Sequence, residues 1–382
     1  MIYNKNEALE SDALYFDASR LKMSLFDDGK GNRGPRHVYE KPGVKVLDNG
    51  DVEFYIFAPN AKEAYVCGMK GSAMTDKRYY MEKDEEGYFH TIATDIPAGY
   101  HYHEYYVDGN CTINPQAPIG YGSHKLINFF DKAEEDFYLL KNVPHGTIRM
   151  EHFFSEETNK TRNCWVYTPP GYEENTDKKY PVFYLHHGGG ENETGWIWQG
   201  KINYIIDNLL AEKQCEEMII VMNCLYAIDE RKEVDFLAGD YDSMLIYDCI
   251  PFIESKYRVK EGNENRAIAG LSMGSYHTLM SAMKHLGFFP YIGIFSGALT
   301  KRWYCNFDYY TDLKDAKKFN SLVKLFFLGF GEQEENIING LTPDMKMFDE
   351  SGLKYTKYTT PGYHEWTVWR RCVKEFMKLL FK

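Results

Sequence analysis

A serine between two glycines is the first feature of this 382-residue sequence that could do chemistry. In the stretch AIAGLSMGSYHT, Ser272 lies between Gly270 and Gly274, where a run of small and apolar residues gives way to an amphipathic segment. A predicted strand before the motif and a predicted helix after it are the context in which G-x-S-x-G forms a nucleophile elbow. The turn leaves no room for bulky neighbours and exposes the hydroxyl at a helix N-terminus, whose dipole favours developing negative charge. The pattern therefore predicts that Ser272 is a nucleophile.

A serine hydroxyl needs a base to take its proton, and only three histidines follow Ser272 in the chain. His277 and His285 lie in the predicted helix that leaves the elbow, and this helix carries them away from the hydroxyl. His364 lies in the loop PGYHEW after the last predicted strand. Because the partners in this type of fold follow in the order serine, acid, histidine, we predict that His364 is the base.

The third member of such a triad is an acid that holds the imidazole in the right tautomer. The predicted strand LVKLFFLGFG runs directly into the acidic loop GEQEE, residues 331–335. The order of the partners places the acid between Ser272 and His364, at the end of a strand, so this acidic loop is the candidate. Glu334 is our choice, and Glu335 and Glu332 remain alternatives.

Negative charge that develops on a substrate oxygen needs preorganised donors. One donor in these folds is the amide of the residue after the nucleophile, here Met273, and the other lies in a glycine-rich loop after an early strand. The stretch YLHHGGGENETGW supplies that loop, and the amide of Gly189 is the predicted second donor. No cluster of further ligands accompanies the pair His186-His187, so we interpret the pair as packed strand histidines and predict no metal site.

Three tryptophans are candidates for a wall of the substrate cleft. Trp196 and Trp198 follow closely on the glycine-rich loop, and Trp366 follows the predicted base by two residues. The hypothesis is that at least one of them borders an apolar slot for a planar acyl group. Ordinary core packing is the alternative for each.

The elements that position these residues fall into two regions. Residues 41–140 contain short strands of alternating apolar and polar residues between turns, a pattern that predicts an immunoglobulin-like all-β sandwich. They follow a polar lead-in, residues 1–40, that we expect to be loosely packed. From residue 141 to 382, after the seam KNVPHG, strands and helices alternate, which predicts a mainly parallel sheet covered by helices. The predicted fold class is therefore α/β: an α/β-hydrolase preceded by a smaller β-sandwich.

Composition excludes some partners. A net charge of −12 argues against nucleic acid or an anionic membrane as the main partner, because a phosphate backbone needs a basic surface. No run of apolar residues approaches the length of a membrane span. The N-terminus shows no signal peptide and the eight cysteines show no CxxC spacing, so we expect free thiols and a cytoplasmic location. A secreted protein that had lost its leader would look the same.

Several segments carry a family resemblance. The segments YLHHGGGENETGWIWQGKINYIIDNLLAE, GLSMGS and PGYHEWTVWRR resemble carbohydrate esterase family 1, the feruloyl and acetylxylan esterases. Upstream, VEFYIFAPNAKEAYVCG and PAGYHYHEYYVDG resemble the family 48 carbohydrate-binding module, and the resemblance spans the chain from about residue 45. It implies a serine esterase that releases ferulate or a similar acyl group from plant arabinoxylan or its oligosaccharides, without a metal or organic cofactor. Many family members carry aspartate at the acid position, whereas this loop offers only glutamates.

Other functions fit parts of the same pattern. An acetylxylan esterase would use the same residues on a smaller acyl group. An enterobactin-type siderophore esterase also joins an N-terminal β-domain to a related hydrolase, but its substrate would call for a cluster of basic residues that this acidic sequence does not show. A carbohydrate-binding protein with an inactive hydrolase domain is the alternative outside the enzymes, and the intact Ser272, His364 and glycine-rich loop argue against it. The expected partner is a feruloylated or acetylated xylo-oligosaccharide.

Overall fold

The computed structural model describes residues 25–27, 33–35, 41–69, 77–229, 231, 240–297, 299 and 310–382. It divides into two compact units between Asp136 and Phe137, close to the boundary predicted between residues 140 and 141. Within the predicted lead-in, two short strands pair antiparallel, β1 (Leu25–Asp27) and β2 (Arg33–Pro35). The rest of the lead-in lies outside the described residues.

The N-terminal unit is an all-β sandwich. One antiparallel sheet has the strand order β3-β4-β8-β7 and the other the order β11-β12-β9-β5-β6, with β10 paired to β9. The strands are β3 (Val44–Val46), β4 (Val52–Phe57), β5 (Ala64–Cys67), β6 (Tyr79–Tyr80), β7 (Glu82–Lys83), β8 (Tyr88–Ala93), β9 (Gly99–Val107), β10 (Asn110–Thr112), β11 (Ile119–Gly122) and β12 (Lys125–Lys132).

Alternation of side chains along these strands builds the core of the sandwich, because successive residues point to opposite faces of a sheet. In β9 the buried positions include His103 and Tyr105; both rings meet Phe54 of β4, and His103 also meets Phe130 of β12. Burial lowers the pKa of His103 to about 3, so this histidine is neutral at physiological pH. His101 shares the same face and bonds to the carbonyl oxygen of Pro97, so both imidazoles belong to the core.

The C-terminal unit contains one eight-stranded sheet in the order β13-β14-β16-β15-β17-β18-β19-β20. The last six strands in this order, which begin with β16 and include β15, are parallel to one another. Strand β14 pairs antiparallel with both β13 and β16. This arrangement confirms the predicted mainly parallel sheet. The strands are β13 (Thr147–Ser155), β14 (Lys160–Thr168), β15 (Val182–His186), β16 (Ile219–Asn223), β17 (Arg266–Leu271), β18 (Tyr291–Phe295), β19 (Leu325–Gly331) and β20 (Thr356–Thr360).

The strands in the middle of this sheet are buried along their whole length. Sequences such as IIVMN in β16 and YIGIF in β18 are continuous apolar runs because both faces of the sheet are covered. The helices are α1 (Gly195–Trp198), α2 (Ile202–Ala211), α3 (Tyr241–Ser243), α4 (Ile250–Lys256), α5 (Met273–Lys284), α6 (Tyr310–Lys314), α7 (Ala316–Leu322), α8 (Glu335–Ser351) and α9 (Trp366–Met377). Within the described ranges, every helix is too short or too polar to cross a lipid bilayer.

The seam KNVPHG is fastened to helix α2 inside the C-terminal unit. The buried carboxylate of Asp207 accepts hydrogen bonds from the ring of His145, from the backbone N–H of Gly146 and from the hydroxyl of Tyr167. Burial raises the pKa of Asp207, and these three donors act in the opposite direction. The seam is therefore an ordered part of the hydrolase unit.

The parallel strands also determine where a site can form. Strands β15, β17, β19 and β20 all end at the same edge of the sheet, where ligands bind in open α/β sheets. The glycine-rich loop, the serine, the acidic loop and the loop of His364 follow these four strands directly. The predicted residues are thus delivered to one edge by the topology.

Candidate active site

Ser272 lies in a strained turn between β17 and α5. Its φ of 50° and ψ of −116° are unusual for a residue with a side chain. A Cβ at Gly270 would lie 2.4 Å from the backbone of Gly274, and a Cβ at Gly274 would lie 2.2 Å from the carbonyl oxygen of His187. The motif therefore needs both glycines, because strand, helix and the end of the neighbouring strand pack backbone against backbone.

The backbone of the serine is fixed on both sides. Its N–H donates to the carbonyl oxygen of Phe295 at 2.9 Å. Its own carbonyl oxygen accepts from the N–H of Ser275 at 3.0 Å and from the hydroxyl of Ser275 at 2.6 Å. The backbone that carries the Ser272 side chain is consequently held in one place at the end of the sheet.

The structure brings Ser272, His364 and Glu334 together. His364 Nε2 lies 2.8 Å from Ser272 Oγ, and His364 Nδ1 lies 2.6 Å from Glu334 Oε1. Because an ionised carboxylate can only accept, Nδ1 carries the ring proton and Nε2 is left to accept the proton of the serine hydroxyl. The arrangement can activate a hydroxyl for attack on an electrophilic carbon.

Glu334 differs from its neighbours in burial and in its partners. It is 5% exposed, whereas Glu332 and Glu335 are exposed. Its second oxygen, Oε2, accepts from the hydroxyl of Ser296 at 2.7 Å and from the N–H of Gly331 at 2.6 Å. With the ring of His364 on Oε1, three donors surround this one carboxylate and hold it toward the imidazole.

Ser296 is a residue that our sequence reasoning missed. It follows β18 directly, at the same sheet edge as the other site residues, and has a φ of 50°. Its N–H donates to the carbonyl oxygen of Gly329, so both its backbone and its side chain bond to the β19 end of the site. The sequence feature that could have identified Ser296 was a Ser-Gly pair directly after a buried strand.

The acidic loop and the base loop are hydrogen-bonded to one another. The backbone N–H of Gln333 donates to the carbonyl oxygen of Gly362 at 3.2 Å, and the side-chain oxygen of Gln333 accepts from the N–H of Gly362 at 2.5 Å. The N–H of Glu332 donates to the carbonyl oxygen of Thr360 at 2.8 Å. These bonds fix the relative position of Glu334 and His364.

The glycine-rich loop forms a tight turn beside the serine. The N–H of Glu191 bonds to the carbonyl oxygen of Gly188, and Gly190 has a φ of 78°. The N–H of Gly190 donates a hydrogen bond to the hydroxyl oxygen of Tyr226 at 2.8 Å. Gly189 is exposed, and a Cβ placed on it would lie 3.9 Å from Met273 Cβ, so the two predicted oxyanion residues are neighbours.

The buried ring of His187 fixes the conformation of this turn through hydrogen bonds. Its Nε2 accepts from the N–H of Leu225 at 3.0 Å, so its Nδ1 carries the proton and donates to the carbonyl oxygen of Gly188 at 2.8 Å. Burial lowers the pKa of His187 to about 4, which keeps this pattern of one donor and one acceptor. Because C=O and N–H point in opposite directions across a trans peptide, the bond also fixes the direction of the Gly189 N–H.

The structure corrects two of the three tryptophan assignments. Trp196 and Trp366 are each 1% exposed, so neither ring offers a face to a substrate. Their indole N–H groups donate inside the protein, that of Trp196 to the carbonyl oxygen of His186 and that of Trp366 to Glu191 Oε1. Trp198 is half-buried and remains a predicted cleft residue. Trp369, which the sequence did not single out, packs edge-on against the ring of His364 with centroids 5.1 Å apart.

A second surface of interest lies on the N-terminal unit. Tyr65 and Tyr106 stack with centroids 4.8 Å apart and planes 5° apart, and Tyr80, which is 63% exposed, packs against Tyr65 at 5.5 Å. We call this surface the tyrosine face, formed by Tyr65, Tyr80, Tyr102 and Tyr106. A cavity of about 400 Å³ lies on it, and the residues lining it include Arg78 and Glu104.

Two family models match the chain. The Esterase family model matches residues 155–375, and the model of carbohydrate-binding module 48 (isoamylase N-terminal domain) matches residues 41–117. An endo-1,4-beta-xylanase/feruloyl esterase from Xylanibacter ruminicola is 32% identical over 397 residues, which cover 97% of this chain and 52% of that protein. The endo-1,4-beta-xylanase Y of Acetivibrio thermocellus is 31% identical over 187 residues, 45% of this chain and 16% of that protein. The chain thus spans about half the length of the first of these relatives and less of the second.

Solved structures show the same fold. A CE1 ferulic acid esterase from Anaeromyces mucronatus in complex with ferulic acid has a TM-score of 0.56 and 23% identity, over 65% of this chain and 96% of that one. The enterobactin esterase of Shigella flexneri has a TM-score of 0.60 and 13% identity, over 89% of this chain and 96% of that one. At these identities the likeness is one of fold, and it agrees with an α/β-hydrolase preceded by an all-β domain.

Proposed function

The chain belongs to the esterase family, and on this premise we propose that it is a serine carboxylic ester hydrolase whose triad is Ser272, His364 and Glu334. The observation that carries the proposal is the continuous hydrogen-bonded chain from Ser272 Oγ through the imidazole to the buried carboxylate. The glycine-rich turn beside the serine supplies the second requirement, a place for an oxyanion.

The reaction proceeds through an acyl-enzyme. His364 Nε2 takes the proton of Ser272 as Oγ attacks the ester carbonyl carbon, and the amides of Gly189 and Met273 bind the resulting oxyanion. The protonated imidazole then gives its proton to the departing alcohol oxygen. Water attacks the acyl-enzyme by the same route, with His364 again as the base, and releases the acid. Glu334 stays ionised throughout and stabilises the imidazolium.

For the substrate we propose a hydroxycinnamoyl ester, such as a feruloyl group, on xylan or its oligosaccharides. The relative from Xylanibacter ruminicola is named for both xylanase and feruloyl esterase, and this chain aligns with it over nearly its whole length. The match to a carbohydrate-binding module in residues 41–117 is consistent with a polysaccharide substrate. The likeness in fold to an enterobactin esterase keeps a catecholate siderophore ester as the second candidate.

The acyl preference is tested with two esters of the same alcohol, 4-nitrophenyl ferulate and 4-nitrophenyl acetate. We expect kcat/KM, divided by each ester's rate of alkaline hydrolysis, to favour ferulate by roughly 10- to 200-fold, the range that apolar burial provides. If Trp198 lines the acyl slot, Trp198→Ala lowers this ratio. A preference for acetate would instead assign an acetylxylan-type esterase, and faster hydrolysis of a catecholate siderophore would assign the second candidate. A ferulate preference that Trp198→Ala leaves unchanged would remove that residue from the slot.

We further propose that the tyrosine face binds the polysaccharide chain. Flat rings with polar edges suit the apolar faces and hydroxyls of sugars, and Tyr80 and Tyr106 present such rings beside the cavity. Tyr80→Ala and Tyr106→Ala are expected to weaken retention on insoluble arabinoxylan several-fold, measured by depletion of protein from solution. Tyr247→Ala is the control, because this tyrosine is 59% exposed but lies on the hydrolase unit. Equal retention of all three variants and the wild type would remove the face from the binding site.

A further inference from the structure

The glycine-rich loop and the base loop follow strands that do not touch. Strands β15 and β20 are separated in the sheet by β17, β18 and β19, a distance of roughly 19 Å between strand axes. In the proposed reaction, however, the amide of Gly189 must bind the oxyanion while Nε2 of His364 exchanges protons with the serine and alcohol oxygens of the same tetrahedral intermediate. Some contact outside the sheet ladder has to hold the two loops in register.

A buried carboxylate makes that contact. Glu191, the last residue of the glycine-rich turn, is 5% exposed, and its Oε1 accepts from Trp366 Nε1 at 2.9 Å. Trp366 is the first residue of α9 and follows His364 by two positions. A Cβ on Gly195 would lie 3.3 Å from Glu191 Oε2 and 3.4 Å from the Trp366 ring, so the pair is enclosed at the start of α1.

Aromatic packing carries this contact to the base. Trp366 meets Trp369 nearly at right angles, with centroids 5.2 Å apart, and Trp369 meets the ring of His364 nearly at right angles at 5.1 Å. Trp196 also packs against Trp366 nearly at right angles, with centroids 5.2 Å apart. A displacement of Glu191 would therefore shift the imidazole of His364 through the packed rings of Trp366 and Trp369.

We propose that Glu191 and Trp366 are a positioning pair that sets the glycine-rich loop against the base loop. The proposal rests on the proposed esterase function. It adds to that function the contact that aligns the oxyanion donor in the glycine-rich loop with the base His364. Because both side chains are buried, neither is offered to a substrate, so we expect the pair to act on turnover and to leave substrate affinity unchanged. A misplacement of about 1 Å at a reacting centre can cost on the order of a hundredfold.

The test removes each half of the hydrogen bond. Trp366→Phe keeps a ring but loses the N–H, and Glu191→Leu keeps the approximate size but loses the acceptor; each is expected to lower kcat about 10- to 100-fold with KM within about twofold of wild type. The double variant should fall no further than the single ones. Glu191→Gln retains an acceptor oxygen and should recover kcat to within about fivefold of the wild-type value.

A control and an independent readout separate alignment from folding. Trp165→Phe is the matched control, because its buried indole N–H has no partner among the described residues, and its kcat should equal that of the wild type. Melting temperatures within about 4 °C of wild type identify the variants that fold well enough to compare. The rate of covalent labelling of Ser272 by a fluorophosphonate, which forms a tetrahedral adduct in the oxyanion site, should fall in parallel with kcat.

The outcomes distinguish this proposal from the function on which it rests. A wild type that labels and hydrolyses esters, beside Trp366→Phe and Glu191→Leu variants with unchanged kcat and labelling, would overturn the positioning pair alone. A raised KM with an unchanged kcat in these variants would also overturn the positioning pair. A wild type inert to both esters and fluorophosphonate would overturn the esterase function, and the pair with it.

Discussion

Ser272→Ala is expected to lower kcat by roughly a millionfold, as loss of the nucleophile does in other serine hydrolases. The alanine methyl group cannot form an acyl-enzyme, and the remaining amides and the imidazole can only polarise a bound ester. The backbone bonds of residue 272 to Phe295 and Ser275 do not involve the hydroxyl, so the fold should be kept. His364→Ala is expected to cost nearly as much, because the hydroxyl then has no base.

The measurement is the initial rate on 4-nitrophenyl ferulate, with melting temperature as the check on folding. Ser321→Ala is the control, since that serine is exposed on α7, away from the sheet edge that carries the site. If the Ser272→Ala protein kept as much as a tenth of wild-type kcat, the proposed nucleophile would be wrong.

Glu334→Gln is expected to lower kcat by about 10⁴-fold, the cost seen when the acid of such a triad becomes an amide. The amide is neutral, so it no longer stabilises the imidazolium. Its NH₂ group can also face Nδ1 of His364, which would force the ring proton onto Nε2 and leave no acceptor for the serine proton. Glu334 Oε2 now accepts from Ser296 and Gly331, and the glutamine oxygen can keep those donors satisfied.

The neighbouring glutamates provide the controls for this prediction. Glu332→Gln and Glu335→Gln change the same charge within one or two residues of the proposed acid, but both side chains are exposed. Their kcat values should stay near that of the wild type. A steep loss at either control, with Glu334→Gln active, would move the acid to that residue and leave the roles of Ser272 and His364 in place.

Features encoded in consecutive residues could be predicted from the sequence. The alternation in β4 and β9, the apolar runs of β16 and β18 and the glycines around Ser272 each depend on local geometry, so periodicity and residue size were enough to predict them. The order of strands and helices then indicated a mainly parallel sheet, and a parallel sheet brings the loops after its strands to one edge. The positions of Ser272, His364 and the acidic loop followed from that.

Helix α8 shows where local propensity misleads. Its sequence, ENIINGLTPDMKMFDES, contains Gly340 and Pro343, which disfavour a helix interior, and our sequence reasoning did not predict it. The helix forms because Leu341 and Phe348 are buried in the core of the hydrolase unit. Tertiary packing thus outweighs the weak intrinsic preference of the segment.

The identity of the buried glutamate and the position of Trp366 are determined by tertiary structure, because they depend on residues far apart in the chain. Three glutamates of one loop share the same chemistry, and only the position of Ser296 and His364 in space makes Glu334 the buried one. Trp366 looked like a cleft residue from its nearness to His364, yet its ring is buried and its N–H bonds to Glu191, 175 positions away. A sequence pattern reports on neighbours within a few residues, whereas a bond across 175 positions exists only once the sheet has brought both loops to one edge.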